Sequence, residues 1–533
     1  MLLSLLVLVP LLGALVLGFY PGQLSHAQLR QGAIVIALTM CSLTIGIFSQ
    51  FDLKQPAFQL ATSLPWLPQL GLTFSLAVDG LSLPLIGLVN VLTLVLAFNA
   101  NIGLKPGQEL PRPRLFYSLL FLANAGVMGA FLAQNLLLFF LFYEIELIPF
   151  YLLIVIWGSE RRGYAATKFL IYTALSGIIL LAAFLSVNWL TQGNSFEYSQ
   201  INTRDLPRNV QLVLLGMLLV GFGIKIPLVP LHSWLPDAYV ESSAPVSIML
   251  GGILSKLGTY GLVRFAIGMF PETWASVAPI MSVIAAASVV YGAMAAIAQQ
   301  DIKRMVAYSS IGHMGYIMLG SAALTSLSMV GVITQMVSHG LILGLLFYLV
   351  GIIESKVGTR DLKALNGLLN PVRGLPLIAS LMILAAMASA GIPGMLGFIS
   401  EFMVFQGSYP IYPAATIVCI FGTILTAVYF VILLNRTCFG RLDSQSAYYP
   451  VVTRRESLPA LGLAAIIVIL GIQPTWVVKW TESTSNKIVT GAYPRGADVA
   501  NVFDATKVLD VTTALDVTKA LSAAPIATAP MLD

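Results

Sequence analysis

The sequence predicts an all-α, polytopic membrane protein of about fourteen transmembrane helices. Three observations carry that expectation. Of the 533 residues, 58% are apolar and only 10% are charged, against roughly 25% charged in an ordinary soluble domain. The apolar residues fall in long runs, many of about the twenty residues that cross a bilayer core as a helix. The basic residues between the runs are dense and sparse in alternate loops. A single soluble globular domain and a disordered chain are both excluded by this composition.

The runs lie near 2–19, 31–48, 80–99, 115–133, 136–157, 165–190, 211–230, 244–268, 275–297, 305–323, 327–352, 375–397, 411–437 and 457–478. Most are apolar all round, without the alternation of a barrel strand. Backbone groups in lipid must bond internally, so helices are the default. No Lys or Arg precedes the first run, and the first basic residue is Arg30. That predicts an uncleaved first span instead of a signal peptide. Residues 399–408 extend the twelfth segment beyond an interruption.

One set of loops holds 17 basic residues: Arg30; Lys105, Arg112 and Arg114; Arg161, Arg162 and Lys168; Lys303 and Arg304; Lys356, Arg360, Lys363 and Arg373; Arg436, Arg441, Arg454 and Arg455. The alternate loops hold 4, namely Lys54, Arg204, Arg208 and Arg264, with the C-terminal tail set aside. The positive-inside rule then predicts a cytoplasmic first set and both termini on the opposite side. Arg264, near a segment end, is expected to anchor at the interface. The net charge of +5 follows from these loops and is no nucleic-acid signal. From residue 479 the chain turns polar, and four hexads begin at Asp498, Asp504, Asp510 and Asp516. They predict a flexible or partner-bound tail.

The organisation expected is therefore three N-terminal helices in 1–110, a five-helix unit in 111–270, a second in 271–440, a last helix in 441–480 and a polar tail in 481–533. Cys41, Cys419 and Cys438 are far apart and form no C-x-x-C, so thiolate ligation of zinc or an iron–sulfur cluster is not expected. They read as small buried hydrophobes. No glycine-rich phosphate loop opens a helix. The chain is expected to bind no cofactor and to handle neither nucleotides nor electrons itself.

Charges inside the apolar segments point to function. Lys225 and Lys256 interrupt the seventh and eighth segments, and Glu144 sits within the fifth. A lysine at a helix centre costs about 2.5–3.5 kcal/mol even on a forgiving insertion scale, so such residues are functional candidates by default. Glu401 follows the twelfth segment, while His313 and His339 lie in the tenth and eleventh. Either histidine also reads as a hydrogen-bonded core residue. Glu146, two positions from Glu144, is expected on another helix face, where it could snorkel or pair structurally.

Two segments are interrupted. Pro227 and Pro230 follow Lys225, and Gly391, Pro393 and Gly394 precede Glu401. Each proline removes a donor and frees a carbonyl. The interrupted segments lie five apart, which predicts two inverted five-helix repeats, helices 4–8 and 9–13, with helices 7 and 12 broken. Broken helices at matching positions are a pointer to an ion site at an inverted-repeat interface. A lysine in low dielectric is a proton carrier whose charged state a carboxylate at about 4 Å would favour by about 4 kcal/mol at an effective dielectric of 20. Moving one charge across 150 mV costs about 3.5 kcal/mol, so making and breaking one Glu–Lys pair is of the right size for one proton step.

Five stretches then carry a resemblance: YEIELIPFYLLIVIWGSERR (143–162), KIPLVPLHSWLPDAYVESSAPVSIMLGGILSKLGTYGLVRF (225–265), DIKRMVAYSSIGHMGYIMLG (301–320), MVSHGL (336–341) and PGMLGFISEF (393–402). They resemble the antiporter-like, proton-pumping subunits of the complex I family, and within these the chain 4 group of the cyanobacterial and plastid NAD(P)H–quinone oxidoreductases. The resemblance implies that Glu144 pairs with Lys225, that Lys256 is the central lysine, that His339 follows it and that Glu401 ends the path. It implies neighbouring membrane subunits as partners, with flavin or iron–sulfur clusters and the plastoquinone site in other chains, a thylakoid membrane, and no nucleic acid. Tyr239 departs from the family, which usually has His after L-P-D-A. That departure and the hexads suggest a divergent isoform, such as those linked to carbon dioxide uptake. The alternatives are a subunit of a multisubunit sodium/proton antiporter and a structural membrane scaffold with vestigial charges.

Overall fold

The computed structural model describes residues 1–193, 195–440 and 448–492. The hexads at 498–521 lie outside the described residues. The bundle opens with α1 (Leu2–Phe19), α2 (His26–Gln50), α3 (Ser82–Phe98) and α4 (Pro113–Leu132). Then come α5 (Leu136–Ile145), α6 (Leu147–Trp157), α7 (Arg162–Leu190), α8 (Arg208–Lys225), α9 (Trp234–Glu241) and α10 (Ala244–Ile267). The second half holds α11 (Pro271–Ile297), α12 (Ile302–Ala323), α13 (Ser326–Val357), α14 (Pro376–Ser389), α15 (Leu396–Ser408), α16 (Pro413–Thr437), α17 (Arg454–Ile472) and α18 (Thr475–Ala492).

Eleven helices among the described residues are long and apolar enough to cross a membrane, α5 and α6 counting as one continuous pass over Leu136–Trp157. The expected count of fourteen is not reproduced on those terms. The segments expected near 80–99 and 375–397 fold as the shorter α3 and α14. The segment near 305–323 becomes the 22-residue α12, whose polar positions include Lys303, Ser309, Ser310, His313 and Ser321, all buried. Its apolarity is low because its neighbours, not lipid, surround it.

Three features were not expected. A β-hairpin, β1 (Gln59–Leu67) with β2 (Leu72–Val78), precedes α3. Its turn closes on Gly71, whose φ of +65° favours glycine. The helix α18 occupies the start of the expected tail: Gly80 N donates to Thr484 Oγ1 at 2.9 Å, and Trp480 meets Phe48 edge-on at 4.7 Å. Ordered chain thus extends past residue 480, because one face of 475–492 carries Val477, Val478, Thr481, Thr484, Ser485 and Val489, all buried. Finally, Arg264 is no lipid-interface anchor. It is 7% exposed and pairs with Asp79 at 2.7 Å, over the rings of Phe58 and Tyr260.

At the centre stand α10 and α13, each buried along its whole apolar window. The ion pairs sort the basic residues to two ends of the bundle. At one end Lys168 and Arg304 share Asp237, and Arg360 meets Asp301 and Glu354. At the other, Arg264 pairs with Asp79 and Arg204 donates to Gly491 O. Lys303 departs from the loop position expected of it: it is 1% exposed and donates to Ser242 O.

Candidate proton-carrying site

Two breaks shape the first cluster. Pro149 lacks the N–H that would reach Ile145 O, so the fifth span turns at Glu146 between α5 and α6. After Lys225, Pro227 and Pro230 end α8, and the freed backbone groups find other partners. Leu228 N donates to Gly223 O at 3.0 Å, the Trp234 indole donates to Ile224 O at 2.8 Å, and Val229 N donates to Ser288 Oγ at 3.2 Å. The break therefore sits among polar partners as membrane-depth irregular backbone must. Lys225 occupies the C-terminal end of α8, where the helix dipole favours a cation.

The two breaks meet. Lys225 Nζ donates to Glu146 Oε1, and both side chains are buried, 1% and 0% exposed. The ammonium also lies 3.5 Å from the centre of the Tyr143 ring, a cation–π contact. Ser176 Oγ donates to Gly221 O at 2.7 Å, so the Tyr143 hydroxyl donates to Ser176 at 3.0 Å and fixes the ring. Glu146 Oε2 is buried and has no partner among the described residues.

The expected Glu144–Lys225 pair is thus corrected: the carboxylate on Lys225 is that of Glu146. Glu144 is partly exposed, with its carboxylate against Gly177 of α7. It remains near enough for the Lys225 charge to act on it. The helix face is the reason: Glu144 and Glu146 face apart, and Glu146 lies on the buried stripe of Phe139, Tyr143, Phe150 and Leu153, while Glu144 lies on the side of the exposed Leu141, Ile145 and Ile148.

The second cluster lies across the centre. Gly258 of α10 packs on the Lys225 backbone, an added Cβ there meeting its carbonyl carbon at 3.2 Å. The same helix carries Lys256, just after a π-helical stretch at Leu250–Leu254. Such bulges are frequent at functional sites. Lys256 Nζ donates to Gly251 O at 2.7 Å and lies 2.6 Å from His339 Nδ1 on α13. A charged Lys256 can only donate, so His339 Nδ1 accepts and its Nε2 carries the proton. That Nε2 is buried without a partner among the described residues.

Beyond His339, the His313 ring lies 5.5 Å away centre to centre. His313 Nε2 is 3.0 Å from Ser389 Oγ, and its Nδ1 lies 3.5 Å from Glu401 Oε1 and 3.4 Å from Gln335 Nε2. These partners couple two states. With a proton on Nδ1, His313 faces the Glu401 carboxylate and accepts from Ser389. With Nδ1 bare, it accepts from Gln335 and donates to Ser389. Ser400 donates to Gln335 Oε1 and so fixes the amide. Glu401 stands in α15 after the α14–α15 break, where Gly391 and Gly394 have φ of +72° and +91°. A Cβ on Gly391 would come within 2.8 Å of Glu401 Oε2, so glycine lets the backbone approach the carboxylate. His313, Gln335, Ser338, His339, Ser389 and Glu401 face one small cavity of about 10 Å³. That is about the room for one water.

Of the residues expected in the site, the structure joins Lys256 with His339, and His313 with Glu401. It joins Lys225 with Glu146 and leaves Glu144 at the margin. Sequence reasoning missed Gln335, Ser389 and Ser400, which carry no signal in a single chain. The available signal for Glu146 was its helical spacing from Tyr143 and Phe150, with which it shares the buried face. Tyr239 donates to Leu250 O at 3.0 Å, in the same π-helical stretch that accepts from Lys256.

Residues 133–426 match the family described as NADH:quinone oxidoreductase/Mrp antiporter, TM. The chain belongs to that family. Among antiporter-family relatives, NAD(P)H-quinone oxidoreductase chain 4 of Synechococcus sp. is 39% identical, covering 91% of this chain and 91% of the relative. A chain 4 of Microcystis aeruginosa is 40% identical over 82% of this chain and 79% of its own length. A chain of respiratory complex I from Thermus thermophilus superposes with a TM-score of 0.82 at 26% identity, covering 92% of this chain and 100% of that one. A chain of the Mrp complex from Dietzia sp. shares the antiporter-family fold, with a TM-score of 0.81 at 22% identity over 92% of this chain and 98% of that one.

Proposed function

We propose that this chain is the antiporter-like, proton-translocating membrane subunit of an NAD(P)H–quinone oxidoreductase. The observation that carries the reading is the row of buried titratable groups held at helix breaks: Glu146 with Lys225, Lys256 with His339, and His313 with Glu401. Two chain 4 relatives, aligned over most of their length, support the parent complex. The redox groups, iron–sulfur clusters and plastoquinone, belong to other subunits, and this chain contributes proton movement as part of the enzyme. The multi-pass helices lie in a thylakoid membrane, with both termini lumenal, following the two-ended sorting of the basic residues. Two inverted repeats of five spans, at 111–270 and 271–440, bring the breaks to the centre.

Lys256 gives its proton to His339 Nδ1, and the imidazolium then offers Nε2–H to the cavity. A water there, held by His339 Nε2 and Ser338 Oγ, bridges toward His313. His313 takes up that proton at Nε2 as its Nδ1 proton passes to Glu401, which leaves the Gln335-bonded tautomer, and a change of tautomer restores Nδ1–H for the next proton. At the other end, weakening the Glu146–Lys225 pair releases the Lys225 proton toward Lys256. The testing experiment reconstitutes the assembled complex in vesicles and follows quinone reduction together with proton uptake. Lys225→Met should uncouple the two. Sodium/proton exchange is the second reading, drawn from the fold shared with the Mrp complex. Sodium-dependent flux that continues without quinone would establish it instead.

A further inference from the structure

A cavity of about 230 Å³ opens at the bundle end that carries Arg30 and Arg455, away from the buried titratable row. Arg30, Arg455, Tyr117, His26, Glu109 and Asn101 line it. Of the nearby acids, Glu109 lines the cavity itself, and neither it nor Glu456 forms an ion pair with the two arginines. Glu109 meets His26 at 3.3 Å. Glu456, beside Arg455, meets Lys356 at 2.8 Å and closes the capping box with Thr453. Among the described residues neither Arg30 nor Arg455 has an ion pair.

Tyr117 is 3% exposed. It faces the cavity that both arginines line. Three helices also begin here: α2 at His26, α4 at Pro113 and α17 at Arg454. Their N-terminal dipole ends add to a positive field. The walls are held in place. Arg114 donates to Tyr20 O at 3.0 Å and to Gly22 O, and the Trp157 indole donates to Pro111 O at 2.7 Å.

Two guanidinium groups without an ion pair, a tyrosine side chain at the wall and a preformed cavity suit an anion with several acceptor oxygens. We propose that this cavity binds a phosphate-type oxyanion, presented by a lipid headgroup or free in solution. The planar guanidinium forks suit its oxygens, and the Tyr117 hydroxyl donates a further bond. Basic pockets between transmembrane helices are suited to anionic headgroups. The proposal is independent of the proton route.

The test uses the assembled complex, stripped of loosely bound lipid. One arm measures binding of radiolabelled inorganic phosphate by equilibrium dialysis. The other measures retention of phosphatidylglycerol from mixed phosphatidylcholine nanodiscs. Saturable, salt-weakened binding is expected in one arm, which identifies the source. In that arm Arg30→Gln with Arg455→Gln should weaken binding about tenfold or more, and Tyr117→Phe about threefold. Saturable binding in neither arm would overturn the proposal, as would an unchanged affinity in the double variant. Should the double variant fail to assemble, Tyr117→Phe decides, and an unchanged affinity there overturns it.

Discussion

Lys225 and Glu146 form a buried ion pair that joins two helix breaks, one made by Pro149 and the other by Pro227 and Pro230. The pair is closed to solvent, so each partner depends on the other for its charge. Breaking a buried pair by removing one partner costs about 3–5 kcal/mol, while replacing both by apolar groups is far milder. Lys225→Met and Glu146→Leu should each lower the thermal stability of the complex, and the double variant should recover part of the loss. Equal and additive losses in a double-mutant cycle would contradict the pairing.

The same geometry separates Glu146 from Glu144. Glu146→Gln should reduce coupled proton uptake as severely as Lys225→Met, by about tenfold or more, since each removes a direct partner. Glu144→Gln should cost clearly less, because its carboxylate lies outside hydrogen-bonding reach of Lys225. Proton uptake measured per quinone reduced orders the three variants. A Glu144 variant worse than the Glu146 variant would reverse the assignment.

Gly391 is a conformational test of the second break. Its φ of +72° disfavours a side chain, and a Cβ would crowd Glu401 Oε2. Gly391→Ala should destabilise the complex by about 1–3 kcal/mol and reduce pumping together, whereas Gly462→Ala, at an uncrowded helical position, should be neutral or mildly stabilising. Thermal unfolding followed by subunit retention reads both. Normal stability and pumping in Gly391→Ala would show that the close approach is not required.

The orientation is tested from outside. Lys54 and Lys363 are exposed at loops assigned to opposite sides, and the native cysteines are buried or partly so. In sealed thylakoid vesicles with the cytoplasmic face outward, Lys363→Cys should react with an impermeant maleimide and Lys54→Cys should not. The converse pattern would invert the topology.

Much of this was legible in the sequence, for stated reasons. Span positions follow from apolar length, and the breaks follow from proline and glycine beside charge. Lys256, His339 and Glu401 announced themselves because ionisable residues are costly in lipid. The partner of Lys225 did not, since Glu144 and Glu146 lie on different faces of the span and a run that is apolar all round does not mark which face is inward. Nor did the β-hairpin, whose strands are short and whose register depends on Gly71. α12 was read as a run at 305–323, yet its apolarity falls short of a span because it buries polar residues such as Lys303 and His313, which find partners outside the helix. Arg264 read as an anchor because Asp79, 185 positions away, cannot be paired with it from one sequence.

The most direct measurement concerns Lys256, the residue that links the two clusters. Lys256→Met keeps the length of the side chain and removes its protons, leaving His339 Nδ1 without a donor. In reconstituted vesicles, the ratio of protons moved to quinone reduced should fall below that of the unchanged complex, while assembly and quinone reduction under an uncoupler persist. An unchanged ratio would show that protons cross this enzyme by a route that does not pass through Lys256 and His339.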